Sequence, residues 1–169
     1  MAINRNKPNK QDKYYQGSFI VQNKDKYIGD LKNIYYRSKW EFNFMLYCDQ
    51  NPSIQKWASE YVSVPYYSID EVGVMHNHRY FPDFYIELCD ANDPLKYEKM
   101  LVEIKPESST KMPTPPLKES LKSLQNYEYS LKEYQKNLLK WNSAIEFSKK
   151  NNMQFLLVTE VHLKQKGLI

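Results

Sequence analysis

The chain has 169 residues, of which 41% are hydrophobic and 26% charged, so it is long enough for one domain with a substantial core. No apolar run approaches the roughly 18 residues that a transmembrane helix needs, and no apolar signal sequence is visible, so we expect no membrane association. The net charge of +4 is compatible with a polyanionic partner but does not require one.

The first 30 residues are rich in Lys, Asn, Gln and Tyr and show no sustained hydrophobic period. We predict that residues 1–30 form a basic N-terminal arm, either disordered or draped over the body, and that residues 31–169 form the folded domain. A solvated tail is the simpler interpretation of the charges in this arm, and contact with DNA is the alternative.

Aromatic residues then recur at helical spacing and predict a helix over residues 37–50. Ser38 is the expected N-cap, and Glu41 occupies the position three residues later that completes a capping box. Asn51-Pro52 is expected to end the helix, because the residue before a proline avoids the helical conformation.

Three segments rich in Val, Ile and Tyr follow and predict three strands connected as an antiparallel meander. A loop with four prolines separates them from a long helix and a last buried strand. The predicted strands cover residues 59–67, 79–88, 100–105 and 155–159, and the long helix covers 117–150. This α-β-β-β-α-β order predicts an α/β fold with a central mixed four-stranded sheet flanked by helices.

The long predicted helix carries an apolar and aromatic stripe with alternating spacings of three and four residues. A stripe of this kind faces the core in most globular proteins, and a dimerising coiled coil is the alternative. The stripe consists of Leu124, Tyr127, Leu131, Tyr134, Leu138, Trp141 and Ile145.

Two carboxylates and one ammonium group fall on neighbouring predicted strands. Glu103 and Lys105 share one face of their strand, and Asp83 follows Pro82, where we expect the preceding strand to bend because proline cannot donate to the ladder. Two carboxylates form an oxygen-rich site for Mg²⁺, and a lysine beside them suits phosphodiester cleavage. The alternative is an exposed face on which the carboxylates pair with Arg79 and Lys105.

Pro82-Asp83 followed by Glu103-Ile104-Lys105 resembles the signature of the PD-(D/E)XK nuclease superfamily. The shared core of that superfamily, the restriction-endonuclease-like core, has the same α-β-β-β-α-β order. Five sequence blocks in order narrow the resemblance to the head-completion nucleases of T-even-like tailed phages and, more loosely, to the nuclease subunits of Tn7-type transposons. These blocks are residues 36–41, 51–60, 64–66, 78–84 and 103–106.

The resemblance implies roles for individual residues. Asp83 and Glu103 would bind Mg²⁺, for which Mn²⁺ would substitute, and the backbone carbonyl of Ile104 would add a ligand. Lys105 would orient or deprotonate the attacking water and stabilise the charge on the phosphorus centre. Glu41 matches the helical glutamate that often completes such a site, and its alternative role is the helix cap.

The resemblance also implies double-stranded DNA as the substrate and phage head or portal proteins as partners. The protein would act in the host cytoplasm during assembly and could remain in the virion. Arg37, Lys111 and Lys118 are candidate DNA contacts. Arg37 could instead pair with Glu60, and the two lysines could belong to a solvated face.

The expected function is therefore a Mg²⁺-dependent DNA endonuclease that acts in phage head completion before the tail joins. One alternative is a transposon-type or junction-resolving nuclease of the same fold. Another is a structural head or portal completion protein without enzymatic activity. The presence of all three signature residues argues against this last role.

Overall fold

A computed structural model of the protein describes residues 15–89, 93, 96–118 and 120–169. The helices are α1 (Lys39–Gln50), α2 (Leu121–Lys150) and α3 (Glu160–Gln165). The strands are β1 (Gly17–Ser18), β2 (Tyr35–Tyr36), β3 (Ile54–Ser59), β4 (Val64–Ile69), β5 (Met75–Tyr80), β6 (Phe84–Cys89), β7 (Tyr97–Ile104) and β8 (Met153–Val158). No helix in these ranges is long and apolar enough to cross a membrane.

The central sheet has four strands in the order β3-β6-β7-β8. The β3/β6 and β6/β7 pairs are antiparallel, whereas β7 and β8 are parallel. A parallel pair needs a crossover connection, and α2 supplies it between β7 and β8. The predicted mixed four-stranded sheet flanked by helices is confirmed.

The prediction of a simple meander is wrong, because a hairpin is inserted between β3 and β6. The predicted strand over 59–67 spans the end of β3 and the start of β4, and the chain turns between them at Glu60, which has a left-handed φ of 47°. Strands β4 and β5 pair only with each other in the described structure. The order α-β-β-β-α-β holds for α1, β3, β6, β7, α2 and β8.

The predicted strand over 79–88 is divided into β5 and β6 at residues 81–83. Pro82 has no N–H to donate, so a ladder cannot continue through it. The interruption lets β5 leave the central sheet and lets Asp83 stand at the start of β6. The bend predicted at Pro82 is therefore confirmed, and the structure shows a complete break between two strands there.

Both faces of the central sheet are covered, which is why β7 is buried over its second half. Met100, Val102 and Ile104 belong to the core that contains the buried face of α1. Leu101, on the opposite face, belongs to a second core that includes Ala144 of α2 and the inner face of the β4–β5 hairpin. The alternation predicted for this strand is confirmed.

The predicted N-terminal arm lies partly outside the described residues, which begin at Tyr15. In its described part, Phe19 and Val21 are buried in the same core as α1. The Lys26 ammonium donates to three carbonyl oxygens at the end of α1, those of residues 48, 49 and 51, each at 2.8 Å. This lysine therefore supplies the donors that a helix C-terminus lacks.

Helix α2 is about 45 Å long, whereas the six residues of β8 cover about 20 Å. A tight turn at Asn151 and Asn152 joins them, so the first half of α2 extends past the end of the sheet. Its buried residues, Trp141, Ala144 and Ser148, all lie in the second half. The stripe predicted to face the core is wrong at Leu124 and Ile145, which are exposed, because a 3.5-residue period drifts around a straight helix.

Asp49 provides a test of how the N-terminal segment is attached. Its buried carboxylate accepts the backbone N–H groups of Gln22 and Asn23 at 3.0 and 3.2 Å. Asp49→Ala would leave both donors without a partner, so we expect a loss of about 2–4 kcal/mol in the free energy of unfolding and a fall of roughly 5–15 °C in melting temperature. Asp25→Ala, at an exposed position, is the control, and equal melting temperatures for both variants would contradict this account.

Candidate active site

The antiparallel register of β6 and β7 brings Asp83 and Glu103 together. Phe84 pairs with Val102. Asp83, which precedes Phe84, therefore stands opposite Glu103, which follows Val102. The Ile104 N–H donates to Asp83 Oδ2 at 2.7 Å, and the Asp83 N–H lies 3.3 Å from Glu103 Oε2. Each carboxylate therefore accepts a hydrogen bond from the main chain of the other strand.

Glu103 is buried, with 5% of its side chain exposed. The Tyr80 hydroxyl donates to Glu103 Oε2 at 2.7 Å, and the Lys105 ammonium lies 3.0 Å from Oε1. A buried carboxylate without such partners would cost several kcal/mol. Tyr80 and Lys105 thus hold Glu103 in one orientation, with its charge partly compensated.

The negative charge of Asp83 is less well compensated than that of Glu103. Burial and the negative charge of Glu103 raise the pKa of the Asp83 carboxyl, although Lys105 and the Ile104 N–H favour the ionised form. The charge of Glu41 adds to the increase. Two carboxylates in this position repel each other unless a proton or a cation lies between them.

Lys105 is half-buried at the end of β7. Burial disfavours its charge, but Glu103 and Asp83 outweigh that effect and raise the pKa of the lysine. Lys105 is therefore a cation in this arrangement, and it can donate to an anionic oxygen or hold a water. Proton abstraction from water would first require the lysine to lose its own proton.

Arg37 forms a bidentate ion pair with Glu60, with N···O distances of 2.6 and 3.2 Å, a geometry that favours a fixed orientation. The Glu60 N–H donates to the Asp83 carbonyl at 3.0 Å. The pair therefore connects the start of α1 to the residue that carries the candidate carboxylate. The structure thus contains the Arg37–Glu60 pair that is the alternative to a DNA contact, and more than half of the Arg37 side chain remains exposed.

Glu41 lies at the start of α1, where Ser38 is the N-cap and accepts the Glu41 N–H at 3.1 Å. The Glu41 carboxylate accepts from the Ser38 hydroxyl at 3.0 Å and from the Arg37 N–H at 2.7 Å. The capping role is thus present in the structure. The charge of Glu41 also contributes to the raised pKa values of Asp83 and Lys105, less than the other groups around them do.

The two candidate DNA-binding lysines lie on the segment between β7 and α2. Lys111 pairs with Glu107 of the short 3-10 turn Glu107–Thr110. Lys118 is exposed just before α2. Neither forms a hydrogen bond or ion pair with Asp83, Glu103 or Lys105 among the described residues.

Sequence reasoning missed Tyr80 and Lys140. Tyr80 is buried and donates to Glu103, and the Lys140 ammonium lies 5.5 Å from the centre of the Tyr80 ring. Burial and the charge of Lys136 lower the pKa of Lys140, although Glu103 acts in the opposite direction. A tyrosine close before Pro82-Asp83 and a lysine repeat on the long helix were the available signals.

The donor set suits a hard divalent cation, because carboxylate oxygens are the preferred ligands of Mg²⁺ and Mn²⁺. A cation beside Asp83 and Glu103 would relieve the repulsion that raises the pKa of Asp83. In the described ranges, however, no three His, Cys, Asp or Glu side chains form a ready-made cluster. Asp83 and Glu103 are the two carboxylates that the structure brings together, and Glu41 remains hydrogen-bonded at the start of α1.

Two comparisons with known proteins match the chain. Residues 51–160 match the family described as TnsA-like endonuclease, N-terminal. The head completion nuclease of Enterobacteria phage T4 is 31% identical over 153 residues, which cover 90% of this chain and 96% of the phage protein. No solved structure matches the chain significantly. The family match contains Asp83, Glu103 and Lys105.

The raised pKa of Asp83 predicts the pH dependence of stability. Between the ordinary Asp value of about 4 and the raised value, the folded state holds a proton that the unfolded state releases, so stability falls as pH increases. Asp83→Asn keeps an acceptor for the Ile104 N–H and removes the charge. In EDTA it should be more stable than the parent by roughly 1–3 kcal/mol at about pH 8, and by less at about pH 5.

Denaturant unfolding at the two pH values measures this difference. Glu98→Gln is the matched control, because it removes an exposed carboxylate from the same strand. An Asp83→Asn advantage that does not grow with pH would mean that Asp83 is not destabilised by its charge.

Proposed function

Because the chain belongs to the TnsA-like endonuclease family, we propose that Asp83, Glu103 and Lys105 form the active site of a divalent-metal-dependent DNA endonuclease. The observation that supports this proposal is the placement of Asp83 directly opposite Glu103, with Lys105 bonded to Glu103 at 3.0 Å. Two adjacent carboxylates destabilise the folded state, and one lysine neutralises only part of their charge. A catalytic cation explains why the arrangement exists.

The cation is Mg²⁺, and Mn²⁺ substitutes for it. Asp83, Glu103 and the Ile104 carbonyl would hold the ion, with Glu41 as an additional ligand or as a charge that attracts it. When bound, such an ion polarises the phosphate and makes a coordinated water more acidic.

The residues of the chain have separate tasks in the reaction. Lys105 donates to the attacking water or to a non-bridging phosphate oxygen and so stabilises the negative charge that develops. Tyr80 keeps Glu103 in one rotamer through its 2.7 Å hydrogen bond. Hydrolysis consumes one water, breaks the bond between phosphorus and O3′, and leaves a 5′-phosphate and a 3′-hydroxyl.

The biological role that we propose is processing of double-stranded DNA during phage head completion, before the tail joins. It follows from the likeness to the phage T4 head completion nuclease, which extends over nearly the full length of both proteins. Head or portal proteins are the proposed partners. The host cytoplasm during assembly, and then the virion, is the proposed location.

A transposon-type or junction-resolving nuclease is the second candidate, and the match to the TnsA-like family model favours it. That match covers residues 51–160 only, whereas the likeness to the phage nuclease also includes α1 and the segment before it. Cleavage that depends on a partner recombinase would select the second candidate.

Cleavage of supercoiled and linear double-stranded DNA tests the proposed function. With Mg²⁺ or Mn²⁺ we expect cleavage by the parent protein, none in EDTA, and at least about 100-fold slower cleavage by Asp83→Ala, Glu103→Gln or Lys105→Met. Glu98→Gln and Lys99→Gln, two exposed positions of the same strand, should cleave at the rate of the parent. Undiminished cleavage by Asp83→Ala or Lys105→Met would refute the assignment.

Glu41→Gln separates the two roles of Glu41 in the same assay. Glutamine carries no charge and keeps one acceptor oxygen, so one of the two hydrogen bonds from the Ser38 hydroxyl and the Arg37 N–H is lost. We expect a melting temperature only a few degrees lower and slower cleavage at a temperature at which the variant is fully folded, whereas full activity would leave Glu41 as a helix cap alone.

A further inference from the structure

Helix α2 carries a row of three lysines that no role above explains. Lys132, Lys136 and Lys140 follow one another at intervals of four residues, so they lie on one side of the helix and about 6 Å apart along its axis. Four residues before Lys132 the same row continues with the exposed Glu128, and Tyr129 stands three residues before Lys132, so the basic part of this side is the segment from Lys132 to Lys140.

The inner end of the row reaches the candidate active site. Lys140 is half-buried, and its ammonium lies 5.5 Å from the centre of the Tyr80 ring. The hydroxyl of that same tyrosine donates to Glu103 at 2.7 Å. Lys140 is therefore one side chain removed from the proposed metal ligand.

The outer end of the row lies on the part of α2 that extends past the sheet, where Lys132 and Lys136 are exposed. Glu133 is 3.5 Å from Lys136, but half of the Lys136 side chain and 44% of the Glu133 side chain are exposed. Exposed pairs of this kind contribute little, so Lys136 can exchange this partner for a phosphate. Lys132 and Lys140 form no ion pair within the described residues.

We propose that Lys132, Lys136 and Lys140 bind the phosphate backbone of one DNA strand and lead it to the carboxylates, with Lys140 on the phosphate nearest to them. The row spans about 12 Å, which corresponds to three to four nucleotide steps of a strand that rises about 3.4 Å per nucleotide. The identification of the ligand as DNA rests on the proposed function, whereas the polyanion-binding row stands on the charge and geometry of α2.

Salt-dependent binding of a short fluorescein-labelled duplex tests the row without any cleavage. In EDTA and in the Asp83→Asn background, we compare the parent with Lys132→Gln/Lys136→Gln/Lys140→Gln across a series of KCl concentrations. Each lost phosphate contact lowers the slope of log K against log salt by about 0.9, so we expect a decrease of 2–3 in the slope and roughly 10–100-fold weaker binding at about 0.1 M salt.

The matched control removes three exposed lysines from the opposite end of the sheet, as Lys99→Gln/Lys149→Gln/Lys150→Gln. Lys99 pairs with the first residue of β8, next to the last turn of α2, and so lies away from the site. The control should retain the parent slope, and Lys140→Arg alone should retain it as well, because arginine keeps the charge and the contact with the Tyr80 ring.

An equal loss in both triple variants would overturn the proposal, since it would show a general charge effect. A parent protein that does not bind the duplex would also overturn it. If the parent binds the duplex with the expected slope but does not cleave DNA, the lysine row is supported and the proposed nuclease function is refuted. If the parent cleaves DNA but the triple lysine variant binds the duplex with an unchanged slope, the proposed nuclease function is supported and the lysine row is refuted.

Discussion

The pairing of Phe84 with Val102 is the constraint on which the rest of the site depends. It places two acidic residues opposite each other at the same end of two adjacent strands, where one is buried and the other half-buried. A single-residue slip of this register would send one carboxylate to the opposite face of the sheet. Residues 100–104 of β7 are buried between cores on both faces of the sheet. A slip would turn Glu103 into the apolar core beneath α1, which costs several kcal/mol, so this register holds the two acids opposite each other.

Contacts from three other elements of the fold hold Asp83 and Glu103 in place. The break at Pro82 frees the hairpin from the sheet, and Tyr80 at the end of β5 donates to Glu103. The Glu60 N–H binds the Asp83 carbonyl, and its side chain binds Arg37 at the start of α1. Helix α2 covers the face of the sheet on which Glu103 lies and adds Lys140, whose ammonium is 5.5 Å from the centre of the Tyr80 ring. Backbone strain at Glu60, with its φ of 47°, lies within this set of contacts, as is common near functional sites.

The sequence predicted the layers of the fold and the signature residues because their signals are local. Helix α1 has a cap, an aromatic period and a proline stop, and β7 alternates clearly. The inserted β4–β5 hairpin was not predictable in the same way, since β3 and β4 both read as Val- and Tyr-rich segments and only tertiary pairing separates them. Tyr80 and Lys140 were missed because their roles arise from contacts between elements distant in sequence. For Arg37 the sequence left two alternatives open, a DNA contact and a pair with Glu60, and the pair is present in the structure.

The proposed nuclease has a cost in folding that its function explains. Asp83 and Glu103 repel each other, and the fold provides one lysine, one tyrosine hydroxyl and two main-chain N–H groups for them. This is less than two ionised carboxylates require in a buried setting. This imbalance supports the proposed cation site, and the lysine row of α2 would bring the phosphate backbone to the same place.

Calorimetric titration of Mn²⁺ into the EDTA-treated and then desalted protein tests this central claim most directly. The account predicts saturable binding that Asp83→Asn and Glu103→Gln each weaken by at least about tenfold, with Glu98→Gln unchanged. Equal Mn²⁺ affinity in the parent and in Asp83→Asn would contradict it, because the two opposed carboxylates would then not be the place where the cation binds.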